Sequence, residues 1–397
     1  MMKRLILLTI VGVVMVMEAQ SQDLPIVAPE QAGLDPDHLK KADEVIQDAI
    51  DDRKTPGAAL MVIRDGVVAH RAYFGHFTYD SDARKVDEQT IYDLASLTKP
   101  MATSTAIMQL VERGKISLTD AVSDHIEDFD PKPSEDEEND GATMRIKHLL
   151  THTSGFPPII SAEQVEEEYG EATREYFLKY INKGKLSGKV GREFIYSDVG
   201  FITLQTILEN VTGMSLADYT RKHIFDPLEM KATAFTPDVT DHIAPTEEMD
   251  DEYLTGIVHD PRAREIFDGV AGHAGLFSNL DDIGRFALMM LNQGEYEGKR
   301  VLSPAATRKI TAMPYGMEEF GRALGWDKHS AFSTSQGDLA SDATYGHTGY
   351  TGPSMHIDPD SDLAVILLTN RVHPDDSANV VRLRRYVANI VSASVIE

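Results

Sequence analysis

The chain reads as an α+β fold of the α/β sandwich type, and three observations predict it. Residues 58–74 read as a hairpin with a tight turn, residues 354–369 form a second antiparallel pair, and helical periodicity dominates residues 96–245. The economical architecture is an antiparallel sheet from both chain ends, flanked by helices, with an all-helical region inserted. Residues 22–95 and 246–397 would carry the sheet, and residues 96–245 would be mainly helical.

Each element has a local cause. Asp35-Pro36 is a helix start, and Leu39, Ala42, Val45, Ile46 and Ile50 follow at helical spacing over residues 37–50. Strands at 58–63 and 67–74 flank Arg64-Asp65-Gly66, a tight hairpin turn. In the middle, apolar periodicity predicts helices at 103–112, 165–180, 199–211 and 216–224, separated by loops rich in Gly, Pro and Thr. Strands at 354–357 and 363–369 bracket a polar turn at 358–362. A final helix is expected over 376–392, with Val380, Leu383, Val387, Ile390 and Val391 on one side.

Composition removes several function classes. The 397 residues carry a formal charge of −26. That excess disfavours nucleic acid and an anionic membrane surface as partners. The acidic run at 135–140 reads as an exposed loop. No cysteine is present, so disulfides, thiolate metal sites and a lipid-anchored N-terminus are excluded. Lys3 and Arg4 precede an apolar stretch at 5–17, and Ala19 and Ser21 supply the small residues of a cleavage site. Residues 1–21 are therefore expected to be a signal peptide, and the mature chain periplasmic or secreted. The stretch falls short of the roughly 20 residues that span a bilayer.

Three segments carry chemistry. Ser96-Leu97-Thr98-Lys99 places a hydroxyl and an amine one helical turn apart, with Pro100 tolerable only in a first turn. The lysine can then help activate the serine as a nucleophile. Tyr196-Ser197-Asp198 projects a phenol and an acid to one side in extended or turn geometry. The phenol could serve as general base and the acid could fix Lys99. A carboxylate near Lys99 favours the ammonium, which makes Tyr196 the better base. In 346–352, Gly346, Gly349 and Gly352 admit a substrate backbone, Thr348 offers a hydroxyl and His347 an imidazole. The Tyr350 N–H could complete an oxyanion hole with that of Ser96.

Rival residues have blander readings. Tyr180-Ile181-Asn182 matches the Tyr-x-amide pattern but ends an amphipathic helix, so Tyr180 reads as core. His273, His259 and His152 lack a metal-ligand partner at useful spacing and read as packed histidines; no metal site is expected. Ser215 reads as a helix N-cap and Ser154 as a turn residue.

The ordered set Ser-x-x-Lys, Tyr-x-acid and His-Thr-Gly resembles the serine β-lactamase and penicillin-binding-protein superfamily, in its class C-like branch. The similarity extends over about residues 25–395 and includes LASLTKPMATSTAIMQLVERGKISLTD, IKHLLTHTSGFP, FIYSDVGF, TGMSLADYTRKHIFDPLEM, GVAGHAGLFS and GHTGYTGPSMHIDP. The resemblance implies a β-lactamase/transpeptidase-like fold and a serine acyl-enzyme, with Ser96 as nucleophile, Lys99 and Tyr196 handling protons, and no cofactor. Asp198 stands where the family more often has asparagine, and His347 where β-lactamases usually have the lysine that helps bind a carboxylate. If His347 takes that role, anionic substrates should bind less well as pH passes about 6.5. These departures favour a D-Ala-D-Ala carboxypeptidase or esterase, on a small or peptide substrate of cell-wall type. A β-lactamase, or a sensor that acylates without turnover, is the alternative.

Overall fold

The computed structural model describes residues 24–133 and 142–396. The expected signal peptide and the acidic run at 135–140 lie outside the described residues. Helix α1 (Pro36–Asp51) starts where Asp35 accepts the Asp37 N–H through its side chain at 2.9 Å. Strands β1 (Gly57–Arg64) and β2 (Val67–Gly75) follow. Asp65 and Gly66 between them have φ of 50° and 76°. Positive φ at both residues of a two-residue loop matches the twist of the strands it joins.

The inserted region supplies α2 (Thr105–Glu112) and α3 (Asp198–Thr212). Helix α4 (Leu280–Leu291) returns the chain to the sheet, and β3 (Tyr345–Thr348), β4 (Ser354–Asp358), β5 (Leu363–Thr369) and α5 (Val381–Ala393) complete it. The five-stranded sheet has the order β3-β4-β5-β1-β2, with every pair antiparallel. Ala58 pairs with Thr369 and Arg64 with Leu363, so strands from the two ends of the fold meet in its middle.

Strand β1 is buried on both faces, and its alternation sorts two cores. Ala58, Leu60 and Val62 share one with Leu39 and Ile46 of α1 and with Leu383 and Val387 of α5. Ala59, Met61 and Ile63 face the other, which takes in α4 and the helical region without a break. Helix α4 approaches closely at Gly284, where a Cβ would lie 2.7 Å from Met61 Sδ. Among the described residues no helix is long and apolar enough to cross a membrane.

Two expected helices differ. Residues 165–180 form parts of two helices, Ala162–Tyr169 and Arg174–Lys183. Gly170 ends the first at φ 88°, and Thr173 caps the second. The last helix begins at Val381 and not at 376. The preceding residues are drawn away by Arg371, which pairs with Asp376 and donates to the Ala378 carbonyl at 2.7 Å.

Candidate active site

Ser96 lies in a short 3-10 turn, Ala95–Leu97, directly after the strand Ile91–Asp93. Ala95 has φ 44°, a left-handed conformation that costs a non-glycine residue about 1 kcal/mol or more. Asp93 offsets it by accepting the Ala95 N–H at 2.8 Å and, through its other oxygen, the His259 N–H at 2.8 Å. The expected α-helical start at Ser96 is corrected. Lys99 opens a wide π-type segment, Lys99–Ser104, before α2 begins. Pro100 sits inside it and has no N–H to give, while its carbonyl accepts the Thr105 hydroxyl at 2.8 Å.

Lys99 is fully buried, and its ammonium meets three acceptors: Ser96 Oγ at 2.8 Å, Asp198 Oδ1 at 2.8 Å and the His273 carbonyl at 3.1 Å. Burial alone would strip the proton from this amine. Asp198 and the Tyr196 phenol outweigh it and hold the pKa above the ordinary lysine value. Asp198 is the first residue of α3, where the helix dipole favours a carboxylate. Burial pushes its pKa up, but Lys99, His273 and Arg262 hold it below the usual range.

Tyr196 is fixed by stacking. Its ring lies 4.3 Å from that of His152 at 25°, and 5.2 Å from that of Phe332. Lys99 Nζ is 5.1 Å from the phenol ring centre. His152 accepts the Ser197 N–H at 3.0 Å through Nδ1. Burial, with Arg322 and Lys99 nearby, keeps it neutral far below the usual histidine range. The residue read as plain packing thus holds the Tyr196-Ser197-Asp198 segment in place.

The opposite wall is β3 and the turn after it. Ser96, Tyr196, His347, Thr348, Gly349 and Tyr350 line one cavity of about 490 Å³. At Gly349 a Cβ would come within 2.3 Å of the Leu94 carbonyl, so glycine lets this wall lie against the Ser96 loop. Thr351 donates to the Asp93 carbonyl at 2.7 Å and reinforces the contact. Arg384 of α5 donates to the carbonyls of Gly349, Gly352 and Pro353 at 2.7–3.1 Å. The Tyr350 N–H makes no hydrogen bond among the described residues, which leaves it available as an oxyanion donor.

His347 departs from expectation. It is 4% exposed, and its Nδ1 donates to the Thr348 carbonyl at 2.9 Å. Nε2 is buried with no partner among the described residues, and with the proton on Nδ1 it is an acceptor. Burial, with Arg322 and Lys99 close by, holds its pKa far below 6.5. A neutral imidazole of this tautomer offers a carboxylate no positive charge, and burial moves its titration away from the pH of about 6.5 at which a charge switch is expected for a free histidine.

Sequence reasoning missed a chain of charges behind Lys99. Asp198 Oδ2 meets Arg262 Nη2 at 3.2 Å, Arg262 pairs with Asp260, and Asp260 Oδ1 takes His273 Nε2 at 2.9 Å. Asp260 also caps the helix Pro261–Ile266. An Asp-Pro helix start at 260–261 was the one local signal. Asp198, Asp260 and His273 bring ligand-type atoms within 4.8 Å of one another. Lys99 and Arg262 already engage Asp198, and Arg262 engages Asp260, so a metal ion would have to displace them. Ser215 does cap a helix, accepting the Asp218 N–H at 3.1 Å, and Ser154 sits in a turn beside Phe156.

The profile of the family described as Beta-lactamase matches residues 42–389. The chain belongs to that family. It is 33% identical over 387 residues to the N-acetylmuramyl-L-alanine amidase of Bacillus subtilis (strain 168), covering 89% of this chain and 87% of the relative. A protein of Salmonella agona (strain SL483), provisionally named D-alanyl-D-alanine carboxypeptidase, is 33% identical over 398 residues, covering 94% and 91%. Among solved structures, EstCE1, a hydrolase with promiscuous acyltransferase activity, superposes with a TM-score of 0.70 at 22% identity, covering 91% of this chain and 99% of its own. An octameric penicillin-binding protein homologue from Pyrococcus abyssi gives 0.66 at 24% identity, covering 88% and 75%. Both structures share the β-lactamase/transpeptidase fold seen here. Membership makes the chain a serine hydrolase of the β-lactamase family, a class that includes carboxypeptidases, amidases and esterases as well as β-lactamases.

Proposed function

We propose that this protein is an exported hydrolase that opens an amide in a cell-wall peptide through a Ser96 acyl-enzyme. One observation carries the mechanism: all three N–H groups of Lys99 are engaged, with Ser96 Oγ as one acceptor. A lysine so held is an ammonium and has no lone pair for the serine proton. Tyr196, stacked on the same cavity wall, is the remaining base. As the phenolate, Tyr196 takes the Ser96 proton while Oγ attacks the carbonyl carbon, and becomes the neutral phenol. The Ser96 and Tyr350 N–H groups hold the oxyanion, and Tyr196 returns the proton to the departing amine. Water then repeats the sequence and restores Ser96.

The substrate class rests on two relatives, one named for a D-alanyl-D-alanine end and one for an N-acetylmuramyl-L-alanine amide. Both bonds belong to cell-wall fragments, and a signal peptide over 1–21 would deliver the chain to them. A neutral His347 disfavours β-lactams, which the family's lysine helps to hold.

The test is labelling with a fluorophosphonate and a labelled penicillin, followed by peptide mapping. The adduct is expected on the peptide bearing Ser96, and Tyr196→Phe should slow acylation about 100-fold or more. Near-normal acylation in Tyr196→Phe, with loss in Lys99→Ala, would reverse the assignment of the base. A panel of a D-Ala-D-Ala peptide, a muramyl peptide, a nitrophenyl ester and a chromogenic cephalosporin separates the substrates. Turnover of the cephalosporin above both peptides would refute the proposed class.

A further inference from the structure

We propose that Arg262 is a positioning residue that sets the Asp198 carboxylate against Lys99 and is itself set by Asp260 and His273. The inference rests on the reading of Ser96 and Lys99 given above.

Its basis is an alternation of charge: Lys99, Asp198, Arg262, Asp260 and then the His273 imidazole. Lys99 is fully buried, while the side chains of Asp198, Arg262 and Asp260 are each only 15–16% exposed. The chain closes on itself, because His273 holds Asp260 with its ring and Lys99 with its carbonyl oxygen. Gly272, next to it, is locked as well: its N–H goes to Gln205 at 2.9 Å and its carbonyl accepts Thr103 at 2.7 Å. The ring therefore joins the Ser96 segment, the start of α3, the helix Pro261–Ile266 and the 269–275 loop.

Electrostatics give Arg262 its task. Without it, Asp198 and Asp260 become two neighbouring buried carboxylates, and one of them takes up a proton more readily. A protonated Asp198 is a poorer partner for Lys99, and the amine then loses its hold on the ammonium form. The same logic accounts for aspartate at a position where the wider family more often has asparagine. Asparagine here would leave Arg262 with Asp260 alone, so residues 198 and 262 should act as a pair.

The groups facing this pair are Lys99 and Tyr196 on one side and Asp260 and His273 on the other. His152, His347 and Arg322 also lie around Lys99 and Tyr196 and are unchanged by the substitutions below.

The experiment is a double-mutant cycle of Asp198→Asn and Arg262→Gln, read as the rate of Ser96 acylation by a nitrophenyl ester against pH. Each single change should slow acylation about tenfold or more, and the double variant should be faster than the product of the two losses by about tenfold. In Arg262→Gln the low-pH limb should move to higher pH. Arg262→Lys, which keeps a charge, should move it less; a purely structural loss would lower the rate without moving the limb. Multiplicative losses with an unmoved limb would overturn the inference. The same cycle in urea unfolding needs no turnover. Coupling there, with no label on wild-type Ser96, would sink the hydrolase reading and leave the pairing standing, whereas additivity there would remove the pairing itself.

Discussion

Two glycine-flanked histidines, His273 before Ala274-Gly275 and His347 before Thr348-Gly349, look interchangeable as sequence, and the fold treats them oppositely. Both are buried, at 1% and 4% exposure. His273 meets a carboxylate through Nε2 and sits in the charge network behind Lys99. Among the described residues His347 hydrogen-bonds a backbone carbonyl alone, and its other nitrogen has no partner. Burial next to a charge of opposite sign makes a histidine part of an electrostatic circuit. Burial next to like charges, here Arg322 and Lys99, makes it a neutral spacer.

The largest effect that would break this contrast comes from removing the charge on the His273 side. Asp260→Ala leaves His273 without its carboxylate and Arg262 with Asp198 alone, and should cost about 3 kcal/mol or more in urea unfolding. His347→Gln, by contrast, should cost about 1 kcal/mol, because only one neutral hydrogen bond changes. Equal losses would show that the two sites are energetically alike.

A middle-sized effect sharpens the contrast from the other wall. His347→Lys restores the residue usual in β-lactamases but buries an ammonium beside Arg322 and Lys99. It should destabilise by about 2 kcal/mol and should not raise cephalosporin turnover. A stable variant with new cephalosporinase activity would show that this wall tolerates charge after all.

The smallest effect is in pH. Burial lowers the pKa of His148 to about 4 and of His356 to about 3, and those of His152 and His347 well below 6.5. The unfolded chain protonates these rings near pH 6.5 and the folded one does not. Their contribution is complete above about 6.5 and is lost as pH falls from there towards 4. His347→Gln should reduce that acid slope by up to about 1.4 kcal/mol per pH unit. An unchanged slope would mean that His347 is charged in the fold.

The legible parts of the molecule were those with local causes. Asp65-Gly66 needs no distant partner to turn a hairpin, and the apolar runs of β1 and β5 declare themselves within each strand. The candidate nucleophile and its two companion segments were visible because each bundles several chemical groups within a few positions. Gly170 was legible too, yet the helical period on either side of it masked the break. Arg262, Asp260 and His152 were not legible. A single arginine or histidine carries no period, and its partner is decided by contacts between distant segments. The state of His347 was hidden for the same reason, since Arg322 and Lys99 reach it only in the folded chain.

The pairing of Ala58 with Thr369 has a consequence for how the molecule comes into being. Two strands roughly three hundred positions apart are neighbours at the centre of the sheet. Until β5 has emerged from the ribosome, β1 has an open flank, and the early hairpin must wait with one edge exposed. The sheet, and with it the wall that carries Thr348 and Tyr350, is completed only once Leu363–Thr369 has been made. Assembly of the cleft therefore waits for a late stretch of the chain.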